Sequence, residues 1–234
     1  MVERAVPRRP RPERRGEARL PAAVAVLGAI ALYTLLPDGL VAGGRYVVPA
    51  LGLALLVPLF AVNPRRLTRE TQASRAASLG LVGLIGIANT YALAKLLTAL
   101  LAAQVDNGRQ LLVAALQVWL TNVIVYGLAY WELDRDGPVA RTQRPRRQLG
   151  EADFMFPQDQ HDDAAGEDVA GSGSSAWVPT LVDYLYVSLT NSTAFSPTDT
   201  MPLTPRAKVL MGLQGVTALV ISVLVISRGV NILK

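Results

Sequence analysis

Cysteine is absent from this 234-residue chain, and histidine occurs once, at His161. The first absence excludes disulfides, thiolate metal sites and cysteine nucleophiles. The second leaves one imidazole in a polar stretch, where zinc would need three or four convergent ligands. Also missing are the HExxH, GxSxG, phosphate-loop and dinucleotide patterns, and no nucleophile stands beside a base. The chain therefore reads as a non-enzyme, with no cofactor and no metal expected.

Charge is missing as well, but only in blocks. Residues 20–37, 46–64, 110–131 and 209–227 hold no charged side chain at all. Apolar runs of roughly 18 residues or more mark bilayer-spanning helices, and a globular core helix would keep a polar face. A further span over about 77–103 carries Gly80, Gly83 and Gly86, a small-residue series that lets a neighbouring helix approach. Lys95 interrupts that run. Either its stem snorkels to the far interface, or it is buried and paired with Asp183, since intramembrane charges face a partner or a water-filled cavity.

What charge there is sits between the runs. The tail Met1–Arg19 carries seven arginines against three glutamates and should be disordered. Residues 63–75 hold Arg65, Arg66, Arg69 and Arg75, and residues 132–150 hold Arg135, Arg141, Arg144, Arg146 and Arg147. The segments around 38–45 and 106–109 have one arginine each. The positive-inside rule places the basic segments and the amino terminus in the cytoplasm. That retention accounts for the arginines, so the expected partner is the lipid bilayer and not nucleic acid. Residues 151–175 then add seven acids and the run GSGSS, the composition of a flexible linker with solvated charge. Within it, Phe154–Pro157 (FMFP) is an apolar island that anchors at the interface or docks on the helices.

The stretch "DYLYVSLTNSTAFSPTDTMPLT" from Asp183 resembles the pore region of the potassium channel superfamily. Tyr186, Ser188, Leu189, Thr190, Thr193, Asp199, Pro202 and Thr204 stand where that pattern has like residues, and a long apolar helix follows. The filter itself differs: Ala194, Phe195, Ser196, Pro197 and Thr198 replace TVGYG. A filter aims consecutive carbonyls at the ion through glycines in angles costly for other residues, and proline fixes its own φ. A potassium filter of the standard kind is not expected. "FMFPQ", "DYLY", "TAFSPTD" and "MPL" together are also similar to an uncharacterised family of bacterial multi-pass membrane proteins with a pore-like carboxy-terminal region. That likeness implies an architecture and no activity.

The expected fold is an all-α integral membrane helical bundle of five transmembrane helices plus a re-entrant half-helix, or of six spans. Residues 1–19 form a basic cytoplasmic tail, 20–131 four transmembrane helices, 132–176 a charged flexible linker, and 177–234 the pore-loop-like helix, turn and last span. Two functions fit. In a channel-like cation or proton pathway, Thr190, Asn191, Ser192, Thr193, Ser196, Thr198 and Asp199 line a narrow route faced by Gln214 and Thr217. One chain supplies one loop, so such a pore implies a homo-oligomer. In a non-conducting scaffold, the same residues make a tight turn and the charged segments bind a partner. Topology gives a direct expectation. Cysteines placed in 1–19, 63–75 and 132–150 should be shielded from an impermeant thiol reagent in intact cells. Labelling at the first two, with none at a cysteine in 38–45, would reverse the orientation.

Overall fold

The computed structural model describes residues 16–101, 108–144, 148–159, 177–193 and 199–232. The chain is mostly helical. Helix α1 (Leu20–Thr34) opens with Pro21 in its first turn, where the missing N–H is no loss, and gives way before Pro37. Arg45 folds back over the next turn, donating to Asp38 at 2.7 Å and to the Thr34 carbonyl at 2.8 Å. Helix α2 (Val47–Val62) ends at Asn63, whose side chain closes the following turn on Thr68 and Arg69. That turn lets β1 (Glu17–Ala18) pair antiparallel with β2 (Arg66–Leu67), Glu17 opposite Leu67. Helices α3 (Gln72–Leu101) and α4 (Gly108–Leu133) follow.

Among the described residues three helices are long and apolar enough to cross a membrane: α3, α4 and α7 (Pro205–Ile232). Helices α1 and α2 are apolar but shorter than their charge-free runs, at 15 and 16 residues, because prolines at 37 and 64 close both runs. Helix α4 is the hub, packed against α1, α3, α7 and the short helix α6 (Leu181–Ser192). These neighbours cover its inner faces, while Val113, Leu116 and Leu120 stay exposed on its outer one, so the helix is apolar on the covered and the open side alike. Of the three glycines in α3, only Gly86 lies against a neighbour, where an added Cβ would sit 3.2 Å from Val125. Helix α6 comes closest to α4 at Gly127, where a Cβ would lie 3.1 Å from the Leu185 Cα.

The segment expected to be a flexible linker is folded over 132–144 and 148–159. Helix α4 stops in a left-handed turn at Arg135 and Asp136 (φ 49° and 63°) before Gly137, and α5 (Pro138–Gln143) leads away. Strand β3 (Phe154–Met155) then pairs with β4 (Met201–Pro202). Phe154 and Phe156 are buried, and Phe154 lies 5.0 Å from the Tyr130 ring. Each buried phenyl contributes about 2 kcal/mol, enough to hold this short stretch down. Two of its acids are not solvated: Asp153 and Asp159 are buried against Arg206 and Arg135, while Glu151 is exposed. Composition suggested a linker because the compensating arginines lie elsewhere in the chain. The GSGSS run and His161 lie outside the described residues.

Candidate functional site

Helix α6 begins at the basic end of the bundle. Thr180 and Asp183 close a capping box, with the Thr180 N–H and hydroxyl both donating to Asp183 Oδ2 at 2.7 and 2.9 Å. Glu17 from the amino-terminal strand takes the next free donor, the Leu181 N–H at 2.7 Å, and also Trp131 Nε1 at 2.9 Å. From there α6 runs antiparallel to α4. Ser188 Oγ donates to the Val123 carbonyl at 2.7 Å, and Trp119 Nε1 reaches the Ser192 carbonyl at 3.4 Å. The helix climbs roughly 18 Å along α4, about half of its length, and stops. The chain is back at the basic end by Leu203, whose N–H donates to the Asp153 carbonyl at 2.8 Å. Arg206 then donates to the Leu133 carbonyl at the foot of α4 at 3.0 Å. The segment goes in and returns to the same end.

Gln214 of α7 holds the half-helix in place. Its side chain is completely buried, and both polar atoms of its amide have partners. Oε1 accepts from Tyr130 at 2.6 Å and from Asn191 Nδ2 at 2.9 Å. Nε2 donates to Ser188 Oγ at 2.6 Å, the Ser188 carbonyl at 3.0 Å and Ser192 Oγ at 2.8 Å. Asn191 also donates to the Met211 carbonyl at 2.9 Å. One amide thus ties α4, α6 and α7 together inside the bundle, where an unmade bond costs the full desolvation of the group.

The other residues singled out by sequence are placed differently. Thr190 and Thr193 are half-buried and turn their hydroxyls back on their own helix, to the Tyr186 carbonyl at 3.0 Å and the Leu189 carbonyl at 3.1 Å. Thr217 is half-buried on α7, and Asp199 is exposed on the return strand side. Ser196 and Thr198 lie outside the described residues. Lys95 and Asp183 are not paired: Asp183 is in its cap, while the exposed Lys95 ammonium lies 5.7 Å from the Tyr91 ring. Arg75, at the foot of α3, bonds the Asp136 carbonyl at the basic end, which puts Lys95 about 30 Å away toward the other end.

Sequence reasoning missed the charged floor beneath α4 and α6. Asp134 is fully buried, accepting from the Asp153 N–H at 2.7 Å and from the Tyr184 hydroxyl at 2.5 Å. Arg141, also buried, donates through Nη1 to the Trp131 and Asp134 carbonyls, both at 2.7 Å, and so caps the end of α4. Its plane lies over the Tyr184 ring at 4.9 Å. Asp153 receives Arg206 Nε at 2.7 Å and the Thr204 hydroxyl. The available signal was the acidic cluster Glu132, Asp134 and Asp136 immediately after a charge-free run, too abrupt for a solvated loop. Among the described residues no group of three or more His, Cys, Asp or Glu is placed to hold a metal ion. Comparison with family models, with curated proteins and with solved structures finds no match for this chain.

Two outcomes follow from this geometry. Gln214→Leu should cost about 3 kcal/mol or more, because it leaves several buried donors and acceptors unpaired. Thr217→Val on the same helix should stay within about 0.5 kcal/mol. Thermal unfolding in one detergent compares them, and equal losses would remove the clasp from the account. Burial raises the Glu17 carboxyl above the ordinary glutamate range, against the lowering effect of its bonds to Leu181 and Trp131. The folded chain then binds the Glu17 proton more tightly than the unfolded chain. This contribution to stability is full at pH below the ordinary glutamate value and is lost as pH rises through the raised one. Glu17→Gln should flatten that part of the stability profile, and an unchanged slope would contradict the assignment.

Proposed function

We propose that this chain is a multi-pass membrane protein of five crossing helices and one re-entrant half-helix, with its amino terminus in the cytoplasm. In this reading it is a non-conducting scaffold that keeps the frame of a pore loop and presents its charged cytoplasmic end to a partner. Three long apolar helices support the membrane placement. So does an outer surface of exposed aliphatic side chains, among them Leu20, Val57, Ile87, Val113, Val216 and Leu219. Helices α1 and α2 are roughly 23 Å long, short of a ~30 Å hydrocarbon core, and thinning of the bilayer or snorkelling of the flanking arginines absorbs the difference. The basic end takes the cytoplasmic side by the positive-inside rule.

The observation that carries the scaffold reading is the closed hydrogen-bond set around Gln214. A route for ions needs polar groups with free valences facing a lumen. Here Asn191, Ser192 and Gln214 face one another within one chain. A second reading, a pathway at the axis of a homo-oligomer, draws on the exposed apolar stripe of Val182, Tyr186, Val209, Leu213 and Val216 beside the half-helix, a face that copies of the chain could share. Reconstituted liposomes separate the two. The scaffold reading expects cation flux no greater than that of empty liposomes. Flux above that background, lowered by Asp199→Asn with the folded protein intact, would replace it with the pathway.

A further inference from the structure

A cavity of about 60 Å³ opens at the basic end between α1, α2, α3 and α4. Its polar rim is formed by Arg19, Arg69, Ser74 and Arg75, and its floor by Val26, Leu59 and Leu81, one to three turns deeper in their helices. The carboxylates that reach it are already answered. Glu132 takes the Ser78 hydroxyl at 2.5 Å, and Glu70 pairs with Arg75 at 2.9 Å. Arg19 is answered only in part, by the charge of Glu132 nearby. It is 7% exposed, its guanidinium lies 4.6 Å from the Phe60 ring, and its Nε is buried without a hydrogen-bond partner among the described residues. A buried guanidinium N–H without an acceptor is costly, and an oxyanion in the cavity would complete it.

We propose that this cavity holds the phosphate group of an anionic phospholipid of the cytoplasmic leaflet, with Arg19 as the buried donor and Arg69 at the rim. The inference rests on the membrane placement proposed above. A cationic rim over an apolar floor, at the level where headgroups meet acyl chains, is the arrangement that basic pockets between membrane helices offer such lipids. The cavity admits the phosphate alone, so the glycerol and chains lie outside along the aliphatic surface of the helices.

The full-length protein in nanodiscs of mixed phosphatidylglycerol and phosphatidylcholine tests this by native mass spectrometry of the retained lipid. Phosphatidylglycerol should be enriched in the wild type. Arg19→Gln should lower that enrichment about tenfold, the loss of one charge-assisted hydrogen bond. Ser74→Asp puts a repelling carboxylate on the rim at a position where an acid suits the start of α3, and it should act in the same direction even if Arg19→Gln fails to fold. Arg45→Gln at the opposite end should change nothing. No preference for phosphatidylglycerol, or a preference that survives Ser74→Asp, would overturn the site. Displacement of the lipid by excess inorganic phosphate would make this a site for a free oxyanion and overturn the lipid assignment. A chain that stays dispersed without detergent would instead sink the membrane placement itself, an outcome separate from the others.

Discussion

A helix that stops halfway through an apolar bundle leaves its last carbonyls without partners, and the rest of this architecture is arranged around that constraint. In α6 the open groups are supplied one by one. Trp119 covers the Ser192 carbonyl, the Thr193 hydroxyl covers Leu189, and Gln214 reaches the Ser188 carbonyl and both serine hydroxyls. Every donor except the threonine comes from α4 or α7. The half-helix therefore has no stable place without those two neighbours, and α4 cannot move freely against α7 while it is there. Gly127 strengthens the coupling by letting the α6 backbone come almost into contact with α4.

The opposite end of α6 meets the same demand with charge. Its first N–H groups are taken by Asp183 and by Glu17, the latter from a strand 164 residues earlier. The foot of α4 is closed by Arg141, and the start of α7 by the Asp153 pair with Arg206. Such contacts add little net stability against an apolar alternative, but leaving the buried Asp153 carboxylate without its arginine is costly. Their value here is positional: they fix where three helix ends meet, and so fix the depth to which α6 enters.

The helices were legible in the sequence because a charge-free run as long as a bilayer is thick suits little besides a spanning helix. Asn191, Ser192 and Gln214 were legible as polar residues in apolar surroundings. Their orientation was not, since it depends on which face of α4 and α7 stands opposite, and a single chain of letters does not contain that. The floor was least legible. Asp153 and Arg206 are 53 residues apart, and acids beside a Gly/Ser run read as solvent-exposed until their arginines are brought to them by folding. Phe154 and Phe156 were the visible hint, two aromatic side chains with nowhere to go in a true linker.

Residues 177–193 enter the bundle at one end and residues 199–205 lie back at that same end, with the half-helix held by the Gln214 clasp. Single cysteines at Val178 and Met201, which flank the half-helix, test this re-entry most directly through labelling with an impermeant thiol reagent in oriented inside-out and right-side-out vesicles. Both should react in inside-out vesicles and neither in right-side-out ones. Reaction of the two positions from opposite sides would mean that the segment crosses the membrane, and would contradict the re-entry.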